Sequence, residues 1–146
     1  MLNQLKGVFA SFQQHNVRYV VIGGIAAVLH GVPRATFDLD LLIEPTPENA
    51  EALLKALGEA GLGTAALTTT QDLLAHEITV FKDFVRIDVQ TSTLGLRFED
   101  AWRDRREMQF EGQIFYIASR AHLIASKRAS GRPVDLEDLK ALGAGE

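Results

Sequence analysis

The sequence from residue 19 to residue 43 is YVVIGGIAAVLHGVPRATFDLDLLI, and it carries the clearest structural signals in the chain. Its first four residues, Tyr19 to Ile22, are apolar and mostly β-branched, which predicts a short strand covered on both faces. Gly23-Gly24 ends this strand, and Ile25 to His30 predicts a short helix. Phe37 to Ile43 predicts a second buried strand, so the stretch indicates strand, glycine turn, helix and strand.

Two acids interrupt the second predicted strand. Asp38 and Asp40 are two residues apart, so in a strand they share a face, with Cα atoms about 6.5 Å apart. Two carboxylates side by side in an apolar strand cost several kcal/mol unless a cation or hydrogen-bond donors face them. A strand end at which the acids meet solvent is the alternative, but Leu41-Leu42-Ile43 continues the strand inward and favours a site for divalent cations.

A third acid, Asp88, lies in a later segment of alternating polarity. Glu77 to Phe81 and Val85 to Gln90 flank Lys82-Asp83 and predict a hairpin. The second strand presents Arg86, Asp88 and Gln90 on one face. Taken alone, this pattern is typical of an antiparallel strand with one solvated face.

The three acids together could form a metal site. If the strand of Asp88 lies next to that of Asp38 and Asp40, three carboxylates could hold two Mg²⁺ ions, or Mn²⁺, about 4 Å apart. That arrangement stabilises the attacking and leaving oxygens in phosphoryl or nucleotidyl transfer.

The glycine turn is a candidate phosphate site. Without side chains at Gly23 and Gly24, phosphate oxygens can approach backbone N–H groups at a helix N-terminus. A tight turn uses glycine equally often for geometry alone, and the pattern lacks the Walker lysine. Arg34 could neutralise phosphate charge through a bidentate contact, and Thr36 adds a hydroxyl beside it; the alternative for Arg34 is a surface loop residue.

The rest of the chain predicts further helices and one more hairpin. The hairpin spans residues 107–117, residues 63–75 show no clear period, and the predicted helices cover about 2–16, 46–61, 98–103, 119–129 and 135–142. The order of elements predicts an α+β fold, with a mixed, mainly antiparallel sheet and helices mostly on one face. We expect a single domain over 1–146, with a core over about 1–117 and a short helical C-terminal segment over about 118–146.

Composition narrows the class of protein. The chain has 146 residues, 47% of them hydrophobic, a formal net charge of −4 and no cysteine. A disulfide framework and thiolate chemistry are therefore excluded. No apolar run approaches the ~20 residues of a membrane helix, and no signal peptide is recognisable, so we expect a cytoplasmic protein without a membrane partner.

The combination of glycine turn, Asp-x-Asp strand and third acid resembles the nucleotidyltransferase superfamily with the DNA polymerase β-like fold. The similarity is greatest to its small branch of AbiEii-type toxins and minimal nucleotidyltransferases. The resemblance implies a polymerase β-like core, catalytic and metal-binding roles for Asp38, Asp40 and Asp88, and Mg²⁺ as cofactor. It also implies transfer of a nucleoside monophosphate from an NTP such as ATP, with release of pyrophosphate.

The resemblance extends to the segment from Lys127 to Asp138. It implies that Lys127 contacts nucleotide phosphates and that Asp135 orients this lysine or assists the acceptor. A solvated helix residue is the alternative for Lys127. Asp135 is equally suited to capping the last helix, with Asp138 near the third helical position.

The acceptor stays open at this stage. RNA or tRNA, a protein side chain and a small molecule are all compatible with the sequence. The alternative function is that of a component of a toxin–antitoxin or similar paired system, which would act through an antitoxin-like partner or a second copy of the chain. Two-metal phosphodiester hydrolysis would use the same acids but gives no reason for the glycine pair.

Overall fold

The computed structural model describes residues 2–144, and six strands within them form one sheet. The strands are β1 (Tyr19–Ile22), β2 (Leu39–Ile43), β3 (Ile78–Lys82), β4 (Arg86–Gln90), β5 (Arg106–Phe110) and β6 (Gln113–Ile117). They lie in the order β3-β4-β2-β1-β6-β5. The β1–β2, β3–β4 and β5–β6 pairs are antiparallel, whereas β2–β4 and β1–β6 are parallel. The prediction of a mixed, mainly antiparallel sheet is confirmed.

Seven α-helices surround this sheet in the described part of the chain. They are α1 (Leu2–Gln14), α2 (Gly23–Leu29), α3 (Pro47–Glu59), α4 (Thr70–Ala75), α5 (Phe98–Arg103), α6 (Arg120–Ser130) and α7 (Pro133–Ala141). Side-chain caps start two of the longer ones, since Thr46 accepts a hydrogen bond from the backbone of Asn49 and Ser119 from that of His122. No helix within residues 2–144 has the length and apolar character needed to cross a bilayer.

The two faces of the sheet are covered unequally. Alternate strand residues on the larger face, such as Leu41 and Val89, pack with α1, α3 and the other helices in one large core. Within it the ring of Phe9 stacks on that of Phe115, with centroids 4.5 Å apart. On the opposite face Val20 and other residues of β1 and β2 form a smaller cluster with α5. The prediction of an α+β fold with helices mostly on one face is confirmed.

One predicted strand begins two residues late. The expected strand from Phe37 to Ile43 is β2 from Leu39 onward, so Asp38 lies just before the strand and not within it. The first residue of β2 pairs with Ile87, near the start of β4, and β1 extends only to Ile22. Phe37 and Asp38 therefore have no β1 residue opposite them, and the Phe37 side chain is 81% exposed.

Two helix starts also differ from the prediction. Helix α2 begins at Gly23, so the glycine pair forms its first turn and does not precede it. Helix α7 begins at Pro133 with Arg132 as its N-cap, and the prediction that Asp135 caps it is wrong. Proline is favoured at the first helical position because the N–H it lacks would have no partner there. Asp135 lies two residues further on, where its carboxylate accepts the backbone N–H of Arg132.

The segment without a clear period, residues 63–75, is mostly helical. It forms a 3₁₀ turn over Gly63–Leu67 and then α4. Thr69 caps α4 by accepting the backbone N–H of Asp72. Each element is shorter than two turns, too short for an apolar period to show in the sequence.

Candidate active site

The pairing of β2 with β4 brings two of the predicted acids together. In this parallel register Asp40 lies directly opposite Asp88, at about the 4.8 Å spacing of neighbouring strands. Their sequence neighbours Leu39 and Ile87 point into the large core, so both carboxylates lie on the other face of the sheet. Asp38 precedes β2 at the same end and is half-exposed. The expectation that the two acidic segments are neighbours is therefore met.

The pKa of Asp40 is shifted far from its ordinary value. Burial raises its pKa, and the negative charges of Asp88 and Asp38 raise it further, to about 6. The side chain is thus held where ionisation is costly. Such a perturbed carboxyl in a cleft is typical of a functional site.

Arg86 is a member of the site to which the sequence analysis gave no role. Its Nε donates to Oδ1 of Asp88 at 2.9 Å and its Nη2 to Oδ2 at 3.3 Å. The same Nε lies 3.9 Å from Oδ2 of Asp38. The signal was the shared polar face of Arg86 and Asp88, which two residues apart on a strand point the same way.

Chemically, the acids suit a hard divalent cation, because carboxylate oxygens are the ligands that Mg²⁺ prefers. In the conformation described for residues 2–144, however, no group of three His, Cys, Asp or Glu side chains is gathered closely enough to hold a metal ion. The guanidinium of Arg86 contacts two of the three carboxylates instead. The three carboxylates are suitable ligands for Mg²⁺, but their side chains would have to move before they could bind one ion together.

The glycine pair sets how closely α2 approaches the acids. Gly23 has φ of 70°, and a Cβ there would lie 2.3 Å from Oδ2 of Asp40. A Cβ on Gly24 would lie 2.6 Å from Oγ1 of Thr36 and 3.2 Å from Nη2 of Arg34. Only glycine allows both contacts, so the first turn of α2 lies directly against Asp40 and the loop that follows the helix.

The two predicted phosphate-binding cations share one buried acid. Nε and Nη2 of Arg34 each donate to Asp138, at 2.8 Å. Nζ of Lys127, a side chain 5% exposed, donates to Asp138 at 2.7 Å and lies 3.6 Å from Asp135. The sequence analysis considered Asp138 only for capping, yet it ties α7 both to α6 and to the loop before β2.

Ion pairing keeps both helix acids ionised. Burial alone would raise the pKa of Asp138, but hydrogen bonds from Arg34 and Lys127 outweigh it and hold the pKa below its usual value. In Asp135, burial is likewise outweighed, chiefly by the hydrogen bond from Arg132. The site therefore has a group of acids on the sheet, suited to a metal ion, and a group of cations held by the ionised acids of α7.

A cleft of about 180 Å³ lies between part of each group, and Asp38, Arg34 and Asp138 are not among its lining residues. It is lined from the sheet and α2 by Gly23, Asp40 and Asp88, and from the C-terminal helices by Lys127, Arg132 and Asp135. Typical small-molecule sites measure roughly 300–1,000 Å³. The cleft is smaller than this range, so an NTP would need side chains that line it to move.

A larger cleft, about 340 Å³, lies toward the other end of β1. Its walls include Tyr19, Trp102 and Tyr116, and it has no acidic side chain among its lining residues. Cation–π contacts of Arg18 and Arg105 with Trp102 stabilise this region. Of these two clefts, the smaller one is lined by acids.

A comparison with protein families bears on that chemistry. A family model described as "Nucleotidyltransferase of unknown function (DUF6036)" matches residues 2–143. The chain belongs to this family. Membership confirms the resemblance to nucleotidyltransferases, and no curated protein matched the chain. The family's description names a class of transferase and no substrate, metal or partner.

The close approach of α2 to Asp40 can be tested with Gly23→Ala. The new methyl group meets a carboxylate at a backbone angle that alanine rarely adopts, so we expect the free energy of unfolding to fall by about 1–3 kcal/mol. Gly7→Ala is the matched control. Gly7 lies in α1 with nothing within 4 Å of an added Cβ, and this change should stabilise the protein by about 0.5–1 kcal/mol. Urea denaturation measures both, and a Gly23→Ala protein as stable as wild type would contradict the geometry.

The raised pKa of Asp40 predicts a pH-dependent stability. Because the folded-state pKa of about 6 exceeds the ordinary aspartate pKa of 3.8, the folded state binds the proton more tightly, and stability falls as pH rises through this window. Asp40→Asn removes the ionisation. In metal-free buffer at pH 7.5 we expect it to raise the free energy of unfolding by about 1–3 kcal/mol relative to wild type. Near pH 4 the two proteins should have similar stability. An Asp40→Asn protein less stable than wild type at pH 7.5 would show that the carboxylate is stabilising.

Proposed function

We propose that this protein is a metal-dependent nucleotidyltransferase that moves a nucleoside monophosphate from an NTP to an acceptor, with release of pyrophosphate. The observation that carries the proposal is the placement of Asp40 beside Asp88 on adjacent strands, with Gly23 of α2 packed directly against Asp40. Acids for cations and an open backbone for phosphates thus border one cleft. Family membership supports the class of reaction.

In this proposal Asp38, Asp40 and Asp88 hold Mg²⁺, two ions in the full complex, with Mn²⁺ as a substitute. The bound ion supplies charge neutralisation for the phosphates and a lower pKa for the acceptor hydroxyl. The costly ionisation of Asp40 supports this assignment, because a nearby dication would offset the repulsion and desolvation that raise its pKa.

The phosphate-binding role falls to the groups facing the acids. Gly23 and Gly24 are the first residues of α2, so their backbone N–H groups have no partner within the helix, and Thr36 packs beside Gly24. Arg34 and Lys127 supply positive charge. Both are oriented by Asp138, so their side chains are already ordered before a nucleotide arrives, which lowers the entropic cost of binding.

Asp135 acts in this proposal as an orienting residue. It lies 3.6 Å from Nζ of Lys127 and is hydrogen-bonded to Arg132, whose side chain is 67% exposed at the cleft. It can therefore hold both cations toward a bound triphosphate. The acceptor classes remain RNA or tRNA, a protein side chain and a small molecule.

A partner-dependent role is the second candidate, and one observation favours it. The rings of Phe37 and Phe84, 81% and 52% exposed, line a cleft that also contains Asp38. Exposed aromatic rings grouped beside a site are typical of a surface that another molecule covers. A partner protein of the antitoxin type, or a second copy of the chain, would cover them while controlling access to the acids.

The enzyme proposal is tested by Asp40→Asn in a transfer assay. The four α-labelled NTPs are incubated with a cell extract and Mg²⁺, and the label in RNA, protein and small-molecule fractions is measured. We expect Asp40→Asn to lower transfer by at least about 100-fold, because it removes charge at the reacting phosphate. Asp104→Asn, an exposed acid paired with Arg103 outside the cleft, is the control and should keep wild-type activity.

The same variant separates catalysis from folding, since Asp40→Asn is expected to stabilise the protein while abolishing transfer. Thermal unfolding with Mg²⁺ and each NTP at a hundredfold excess over Kd should show about 2–3 kcal/mol of added stability in wild type. Transfer that persists in Asp40→Asn would refute the proposed chemistry. The absence of stabilisation by any NTP would favour the partner-dependent role.

A further inference from the structure

Arg86 takes the place among the acids that a cation would take. It donates one hydrogen bond to each carboxylate oxygen of Asp88, and it lies within ion-pair distance of Asp38. Asp88 is 16% exposed, and the guanidinium lies on its solvent side, being 43% exposed itself. Both oxygens of Asp88 are therefore already engaged by Arg86.

A guanidinium and a divalent cation are poor neighbours on one carboxylate. Each is positive, so a dication beside Asp88 is repelled by Arg86 at a distance well inside the Debye length. Mg²⁺ also requires near-octahedral geometry and loses its water reluctantly. Arg86 and a metal ion are thus alternative partners of Asp88.

Arg86 has room to leave without disturbing the strand. Its backbone lies at the first position of β4, paired with Lys82 of β3. Its side chain borders a second cleft of about 460 Å³, which contains Asn3, Phe84 and Asp38. The side chain can swing into this space while the sheet keeps its register, so exchange of partners is a rotamer change.

We propose that Arg86 excludes free metal from the acid group and releases Asp88 only when a nucleotide arrives. This inference rests on the proposed function and adds a regulation of the same site. The negative triphosphate gives the guanidinium a new partner, because arginine binds phosphate through two parallel hydrogen bonds as it binds carboxylate. Metal binding is then coupled to nucleotide binding, and the protein carries no loaded metal while it waits for substrate.

A purely structural role for Arg86 leads to the opposite expectation. If the arginine only orients Asp88, its removal disorders that carboxylate, and metal affinity falls. The direction of the change in metal affinity therefore separates the two roles, and it requires no assay of catalysis.

The test is isothermal titration calorimetry: purified full-length protein is titrated with Mn²⁺ alone, in the absence of nucleotide. We expect Arg86→Gln to bind Mn²⁺ at least tenfold more tightly than wild type. Arg86→Lys should fall between them, because lysine keeps the charge but lacks the paired hydrogen bonds. Arg103→Gln is the matched control: Arg103 is an exposed arginine paired with Asp100 and Asp104 outside the cleft, and its change should leave Mn²⁺ affinity unaltered.

A second titration adds an ATP analogue whose α,β bridge is a methylene group, which blocks transfer. The difference in Mn²⁺ affinity between Arg86→Gln and wild type should then shrink to less than threefold, because the triphosphate has already displaced the arginine in wild type. Unchanged or weaker Mn²⁺ binding by Arg86→Gln, with thermal unfolding confirming a folded protein, overturns the inference and leaves the proposed transferase intact. Failure of wild type and variant to bind Mn²⁺ even with the analogue overturns the proposed function as well.

Discussion

The placement of two carboxylates on neighbouring strands is the constraint around which this end of the molecule is organised. Asp40 and Asp88 face each other across β2 and β4, and burial together with mutual repulsion raises the pKa of Asp40 to about 6. A sheet selected for stability alone would have apolar residues at both positions. The surroundings respond to this charge, since Gly23 removes a side chain that would collide with Asp40, and Arg86 neutralises Asp88.

A second group of charged residues lies on the C-terminal helices, and in it the ionised form of the buried acid is favoured. Asp138 is almost fully buried, yet it is saturated by Arg34 and Lys127, so its ionised form is favoured. Breaking such a pair leaves an uncompensated buried charge, which is strongly destabilising. The C-terminal helices are therefore fixed over the glycine turn of α2. Arg34 and Lys127 are thus held in place, whereas ionisation of Asp40 is costly, which suits a site that binds added positive charge.

The sequence predicted the parts of this site that depend on local patterns. Local hydrophobic patterns predicted the strand and glycine turn after Tyr19. They also predicted the alternating strand around Asp88. The roles of Arg86 and Asp138 did not follow, because each depends on partners set by tertiary packing; Arg34 and Asp138 are 104 residues apart. The late start of β2 has the same origin, since its neighbour β1 ends opposite Asp40.

The most direct test of this account is a crystal structure of the protein with Mn²⁺ and the methylene-bridged ATP analogue, with manganese located by its anomalous scattering. The account predicts manganese bound by Asp40 and Asp88, the triphosphate against Gly23 and Gly24, and Arg86 turned away from Asp88. Manganese bound elsewhere, or the nucleotide seated in the aromatic cleft at Trp102 with the acids unchanged, would contradict it.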